Sequence, residues 1–172
     1  MRVALTFLAL ASPALAEVPQ VVTDIPPVQA LVAQVMGDLG TPELLLAQGA
    51  DEHDFQLRPS QARAVAGAGL VVWIGPELTP WLESALETRG EGAAVLSLLR
   101  AEGTTLRSYA AGKGHEADQD QEDAGHDHGS DDPHAWLDPE NAQVWLELIA
   151  ADLSRLDPAN AATYQANAAA AV

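Results

Sequence analysis

An α/β architecture, a parallel sheet flanked by helices, follows from three features of this chain. Short β-branched or aliphatic runs alternate with segments that carry apolar residues at helical spacing. The strongest run, Leu70 to Ile74, is unbroken in its apolarity and bounded by Gly69 and Gly75-Pro76, as a strand buried on both faces requires. Prolines and glycines punctuate the remainder where strands hand over to helices.

Taken in order, Val18 to Thr23 reads as the first strand, closed by Asp24 and the Pro26-Pro27 pair. Pro26 to Met36 reads as a helix with Val28, Leu31, Val32 and Val35 on one face. Gly37 to Thr41 is a turn and Pro42 to Leu46 a second short strand. Gly49 to Arg58 is a polar loop, and Pro59 opens a helix to Ala66. After the strand Leu70 to Ile74, a helix is expected over Leu78 to Thr88 and a fourth strand over Ala94 to Leu98. The segment 111–133 is polar, with no aliphatic residue larger than alanine. It has too little to bury to offset the entropy of ordering and is expected to be a disordered surface loop. Structure resumes at His134, and Asn141 to Leu156 has one apolar stripe through Val144, Trp145, Leu148, Ile149 and Leu153. Residues 158–172 begin another helical pattern, which reads as running to the last residue without a stop signal.

The N-terminus carries an export pattern: Met1-Arg2-Val3, an apolar core from Ala4 to Ala11, then Ser12-Pro13-Ala14-Leu15-Ala16, with cleavage expected after Ala16. That apolar run is well short of the roughly 18 or more residues of a membrane-spanning helix. An exported chain with 0 cysteines can form no disulfide and offers no thiolate to a metal, which leaves histidine and carboxylate as ligands. A formal net charge of -17 repels phosphate backbones and argues against nucleic acid as a partner. A cation is the natural ligand.

Two loop histidines sit where a ligand is expected. His53, in Asp51-Glu52-His53-Asp54-Phe55, follows a strand and precedes a helix, where open α/β sheets present their binding loops. Glu52 adds a carboxylate oxygen or holds a water, and Asp51 or Asp54 can accept the second ring N–H of a histidine. His134 lies between Pro133 and Pro139, with Trp136 available to anchor the segment in the core. Read one at a time, a loop histidine flanked by acids such as His53 is usually just solvated, and His134 is equally compatible with a cap or a packing partner of Trp136. The loop adds His115, His126 and His128 among acids that include Asp127, a set that gathers divalent cations or merely keeps the surface solvated. Trp73, Trp81 and Trp145 fall on apolar faces and read as core. No G-x-S-x-G, H-E-x-x-H or Gly-rich phosphate loop is present, and Ser60 has no histidine at catalytic spacing.

Glu52 to Ser60, Leu70 to Glu77, the His/Asp-rich insertion and His134-Ala135-Trp136-Leu137-Asp138-Pro139 together resemble, in order and spacing, the zinc-binding receptors of bacterial zinc ABC importers. The resemblance covers essentially the chain after its leader. It implies a periplasmic, non-enzymatic and monomeric solute-binding protein that captures Zn2+ for a membrane permease. The implied fold has two α/β lobes joined by a long helix, with 17–157 as the N-terminal lobe and 158–172 as the start of the connecting helix. His53 and His134 are then ligands, Glu52 a further oxygen donor, and His115, His126, His128 and Asp127 auxiliary binders. The third histidine of that family belongs to the second lobe, so this chain reads as a half-site. A manganese receptor of the same fold, a zinc-dependent periplasmic hydrolase using Glu52 as base, and a zinc buffer working through the loop are the competing readings.

Overall fold

The computed structural model describes residues 17–46, 49–108 and 131–172. The strands are β1 (Val21–Thr23), β2 (Glu43–Leu44), β3 (Leu70–Trp73) and β4 (Ala94–Ser97). The helices are α1 (Pro26–Met36), α2 (Pro59–Gly67), α3 (Glu83–Leu86), α4 (Pro139–Leu156) and α5 (Ala161–Ala171). The sheet order is β2-β1-β3-β4, and every pairing is parallel, with Thr23 opposite both Leu44 and Val72 and Trp73 opposite Ser97.

Alternation along the central strands explains why both faces are covered. Val21, Leu70, Val72 and Ile74 join one cluster with α1, α4 and α5, through Val28, Val32, Val35, Trp145, Ile149, Leu153 and Tyr164. Val22, Val71 and Trp73 point the other way, onto Val65 of α2 and Leu82 and Leu86 around α3. Leu70, Val71 and Val72 are fully buried, each contributing about 1.5–3 kcal/mol of transfer free energy. The parallel sheet flanked by helices is therefore the observed architecture.

Several boundaries differ from those expected. The first strand shortens to Val21–Thr23. The helix expected over Leu78 to Thr88 is a 3-10 turn, Pro80–Leu82, followed by the short α3. Leu78 N and Thr79 N both donate to Gly75 O, at 3.2 and 3.0 Å, and this closes a turn before Pro80 can start a helix. Helix α4 begins two residues early, at Pro139, because Asp138 caps it by accepting from Glu140 N at 3.1 Å. Within the segment 111–133 expected to be disordered, residues 131–133 are placed. Ser108 and Asp131 form an antiparallel bridge, and Asp132 N donates to Arg107 O at 2.6 Å. Backbone pairing, which composition does not report, orders Asp131 to Pro133. Residues 111–130 and the segment 1–16, expected to be an export leader, lie outside the described residues.

The final helical segment opens with a 3-10 turn, Pro158–Asn160, before α5. Helix α5 packs on α4 and α1. At Gly37, the C-cap of α1 with φ 53°, an added Cβ would stand 2.7 Å from Asn167 Nδ2 of α5. That amide donates to Val35 O at 3.0 Å, so glycine is needed there both for the backbone turn and for the approach of α5.

Asp24, immediately after β1, is fully buried. Its carboxylate accepts from Ile25 N and Ile74 N, each at 2.8 Å, and from Thr79 Oγ1 at 3.2 Å. Desolvation outweighs these three donors and raises its pKa to about 6. The folded state thus holds this proton more tightly than the unfolded chain does. The stabilising contribution of Asp24 is fully present below about pH 4 and is withdrawn as pH rises through about 6, a change of about 3 kcal/mol. Comparison of Asp24→Asn with the native chain in urea titrations at pH 4.5 and pH 7 should show the native chain losing ground to the variant at the higher pH. A pH-independent difference would contradict the shift.

Candidate metal centre

The carboxyl ends of the parallel strands share one edge, and the loops leaving that edge carry the site. The loop after β2 brings Glu52 and His53; the loop after β3 brings Trp81; His134 arrives on the 3-10 turn Ala135–Leu137 that leads into α4. Glu52, His53 and His134 each offer one ligand atom, and these atoms lie within 4.8 Å of one another. The imidazole rings stand edge-on, centroids 6.1 Å apart. A tetrahedral ion with bonds of about 2.0–2.1 Å sets its ligand atoms roughly 3.3 Å apart, the scale on which these three atoms are gathered. His53 is exposed, whereas Glu52 and His134 are half-buried.

Each histidine is placed by the same local device. Asp51 Oδ1 accepts from His53 N at 2.8 Å, and Asp132 Oδ1 accepts from His134 N at 3.0 Å. An aspartate two residues ahead of the histidine closes an Asx turn in both segments. The shared Asp-x-His spacing was visible in the sequence as a signal for this. Asp132 Oδ1 also lies 2.7 Å from His134 Nδ1.

Tertiary contacts finish the placement. Trp81 Nε1 donates to Glu52 O at 2.8 Å, and its ring meets Phe55 edge-on at 5.1 Å. Trp81, expected to be core, packs partly buried against both hydrophobic clusters and in addition holds the His53 loop. Trp136 is packed against the larger core cluster as expected, and its ring lies 5.1 Å from that of His134. Asn141, 1% exposed, accepts from Thr105 N at 2.7 Å and donates to Thr105 O and Ala135 O at 2.9 and 3.0 Å. It thereby ties the residue after His134 to the strand-like segment that precedes the polar loop. Nothing in the sequence pattern singled out Asn141, because its partners are distant in the chain. His115, His126, His128 and Asp127 lie outside the described residues.

The electrostatics suit a cation. Two imidazoles and a carboxylate form a donor set matched to zinc and other late divalent metals. Arg107, which lines the same pocket as His134, is engaged by Asp138 at 3.2 Å.

Comparison with known proteins follows the same line. Residues 21–172 match the model of the family described as ZnuA, zinc-uptake complex component A, periplasmic. The chain is 51% identical over 177 residues to the high-affinity zinc uptake system protein ZnuA of Paracoccus denitrificans, covering 92% of this chain and 54% of that protein. Its fold resembles that of Zn(II)-bound AdcA from Streptococcus pneumoniae, with TM-score 0.67 at 25% identity, over 88% of this chain and 29% of that one. It also resembles the Mn-bound periplasmic metal binding protein from Candidatus Liberibacter asiaticus, with TM-score 0.68 at 23% identity, over 87% of this chain and 50% of that one. The chain spans about half the length of the ZnuA protein it matches.

Proposed function

Because this chain belongs to the family of ZnuA, the periplasmic component A of zinc-uptake complexes, we propose that it captures Zn2+ in the periplasm for delivery to the permease of an ABC importer. The observation that carries this reading is the convergence of Glu52, His53 and His134, from two distant segments, within 4.8 Å. Zinc is the cargo, and no covalent step is involved. Three donors leave the fourth position of a tetrahedral ion to water or to a donor beyond these three. Removal of the leader after Ala16 places the receptor outside the inner membrane, where it acts as a monomer. His115, His126, His128 and Asp127 gather zinc weakly and exchange it quickly, as auxiliary binders rather than members of the tight site.

Manganese is the second reading, since a carboxylate is among the donors and a Mn-bound protein shares the fold. Two imidazoles among three donors favour zinc, because manganese prefers mostly oxygen. Competitive titration of the chain with Zn2+ and Mn2+ decides between them. Zinc should bind first and resist displacement by excess manganese. Manganese preference would replace the cargo assignment, and failure to bind either ion would sink the receptor reading for this chain.

A further inference from the structure

Asp132 stands outside the trio yet touches one of its members twice. Its Oδ1 receives the backbone N–H of His134 at 3.0 Å and lies 2.7 Å from the ring Nδ1. An ionised carboxylate only accepts hydrogen bonds, so a contact at this distance places the proton on Nδ1. A neutral imidazole protonated at Nδ1 has its lone pair on Nε2. We propose that Asp132 is a positioning residue that locks His134 in the Nδ1–H tautomer and presents Nε2 to the metal cargo. This rests on the reading of His134 as a ligand.

The geometry supports more than an incidental ion pair. Two donors of one residue converge on a single oxygen, so the backbone turn and the ring orientation are set together. The ring is also held by Trp136, with centroids 5.1 Å apart. Asp132 is itself held, since its own N–H donates to Arg107 O, in the pairing that continues into the Ser108–Asp131 bridge. A carboxylate fixed by backbone pairing does not have to be ordered again when the metal arrives, and its charge raises the basicity of the distal nitrogen. Asp51 takes the backbone N–H of His53 in the same kind of turn.

The test has a metal-free readout and a metal-bound one. In the native chain without metal, at about pH 8 where imidazoles are neutral, ring 15N shifts should report His134 as the Nδ1–H tautomer. In Asp132→Ala the ring should move toward the Nε2–H form that predominates for an unrestrained histidine in water. Zinc affinity should fall about 10–100-fold in Asp132→Ala. Asp132→Asn keeps an acceptor for the backbone turn and should lose less. In a His134→Ala background, Asp132→Ala should have no further effect on zinc affinity, because the two act as a unit. An Nε2–H tautomer in the native chain, or an unchanged tautomer in Asp132→Ala, overturns the proposal. So does an equal loss of affinity with and without His134. Should neither His53→Ala nor His134→Ala weaken zinc binding, the zinc site itself falls, whatever the tautomer.

Discussion

His134→Ala, and separately His53→Ala, is expected to lower the affinity of the chain for Zn2+ by at least about 100-fold, or roughly 2.7 kcal/mol. The trio has no spare donor among the described residues: Glu52, His53 and His134 are the group whose ligand atoms come within 4.8 Å. Removing one imidazole leaves an ion with two protein ligands, and water replaces a nitrogen that had been placed in advance by an Asx turn. The loss should exceed that from any residue that only orients a ligand. Neither substitution should disturb folding, since His53 is exposed and the His134 side chain is 31% exposed. Competition against a chromophoric chelator, with melting curves recorded beside it, makes the measurement. Unchanged affinity in both variants, with intact folding, would remove these histidines from the site.

Trp145→Ala should be the most damaging substitution in the fold. Trp145 is fully buried in the middle of α4, and its Nε1 donates to Thr104 Oγ1 at 2.9 Å. That hydroxyl donates in turn to Leu98 O at 2.7 Å, so the indole joins α4 to the segment leaving β4. Truncating a buried tryptophan to alanine costs about 3–5 kcal/mol through lost transfer energy and the cavity left behind. Against a total stability of about 5–15 kcal/mol for an ordinary domain, this takes a large share. Urea titration should show it directly. Trp145→Phe, which keeps most of the ring but loses the hydrogen bond, should cost clearly less; equal costs would mean that packing is not the main term. The site depends on the same helix, because Asn141, one turn nearer its start, holds Ala135 beside His134. Reduced zinc affinity should therefore accompany the loss of stability in Trp145→Ala.

How far the site was legible depended on what each residue interacts with. His53 and His134 were visible because both lie in short, proline-flanked or strand-terminal segments whose chemistry is local. Glu52 was visible as a neighbour of His53. Asn141 and the contact of Trp81 were not, since each acts on a backbone atom that only folding brings near, whereas Asp132 carries the local Asp-x-His signal but its ring contact is a matter of side-chain geometry. Asp132 was counted among the acids of the polar loop, and its charge resembled theirs until the bridge between Ser108 and Asp131 set it apart. Trp81 does pack against the core, as its apolar face suggests. The short 3-10 turn at Pro80–Leu82 also directs its N–H to the Glu52 carbonyl.

By itself the sequence determined the α/β class, the central strand β3, the proline-started helices α1 and α2, and the two segments that bear histidines. These depend on hydrophobic period and on the restricted backbone of proline and glycine, which are properties of neighbours in the chain. Tertiary structure alone decided the strand order β2-β1-β3-β4, the packing of α5 against α1 and α4, and the meeting of His53 with His134. It also decided that Asn141 ties the residue after His134 to Thr105. The physical reason is common to all of these. Each is a contact between residues far apart in the chain, and its energy is realised only when the whole sheet and its covering helices have closed around both partners.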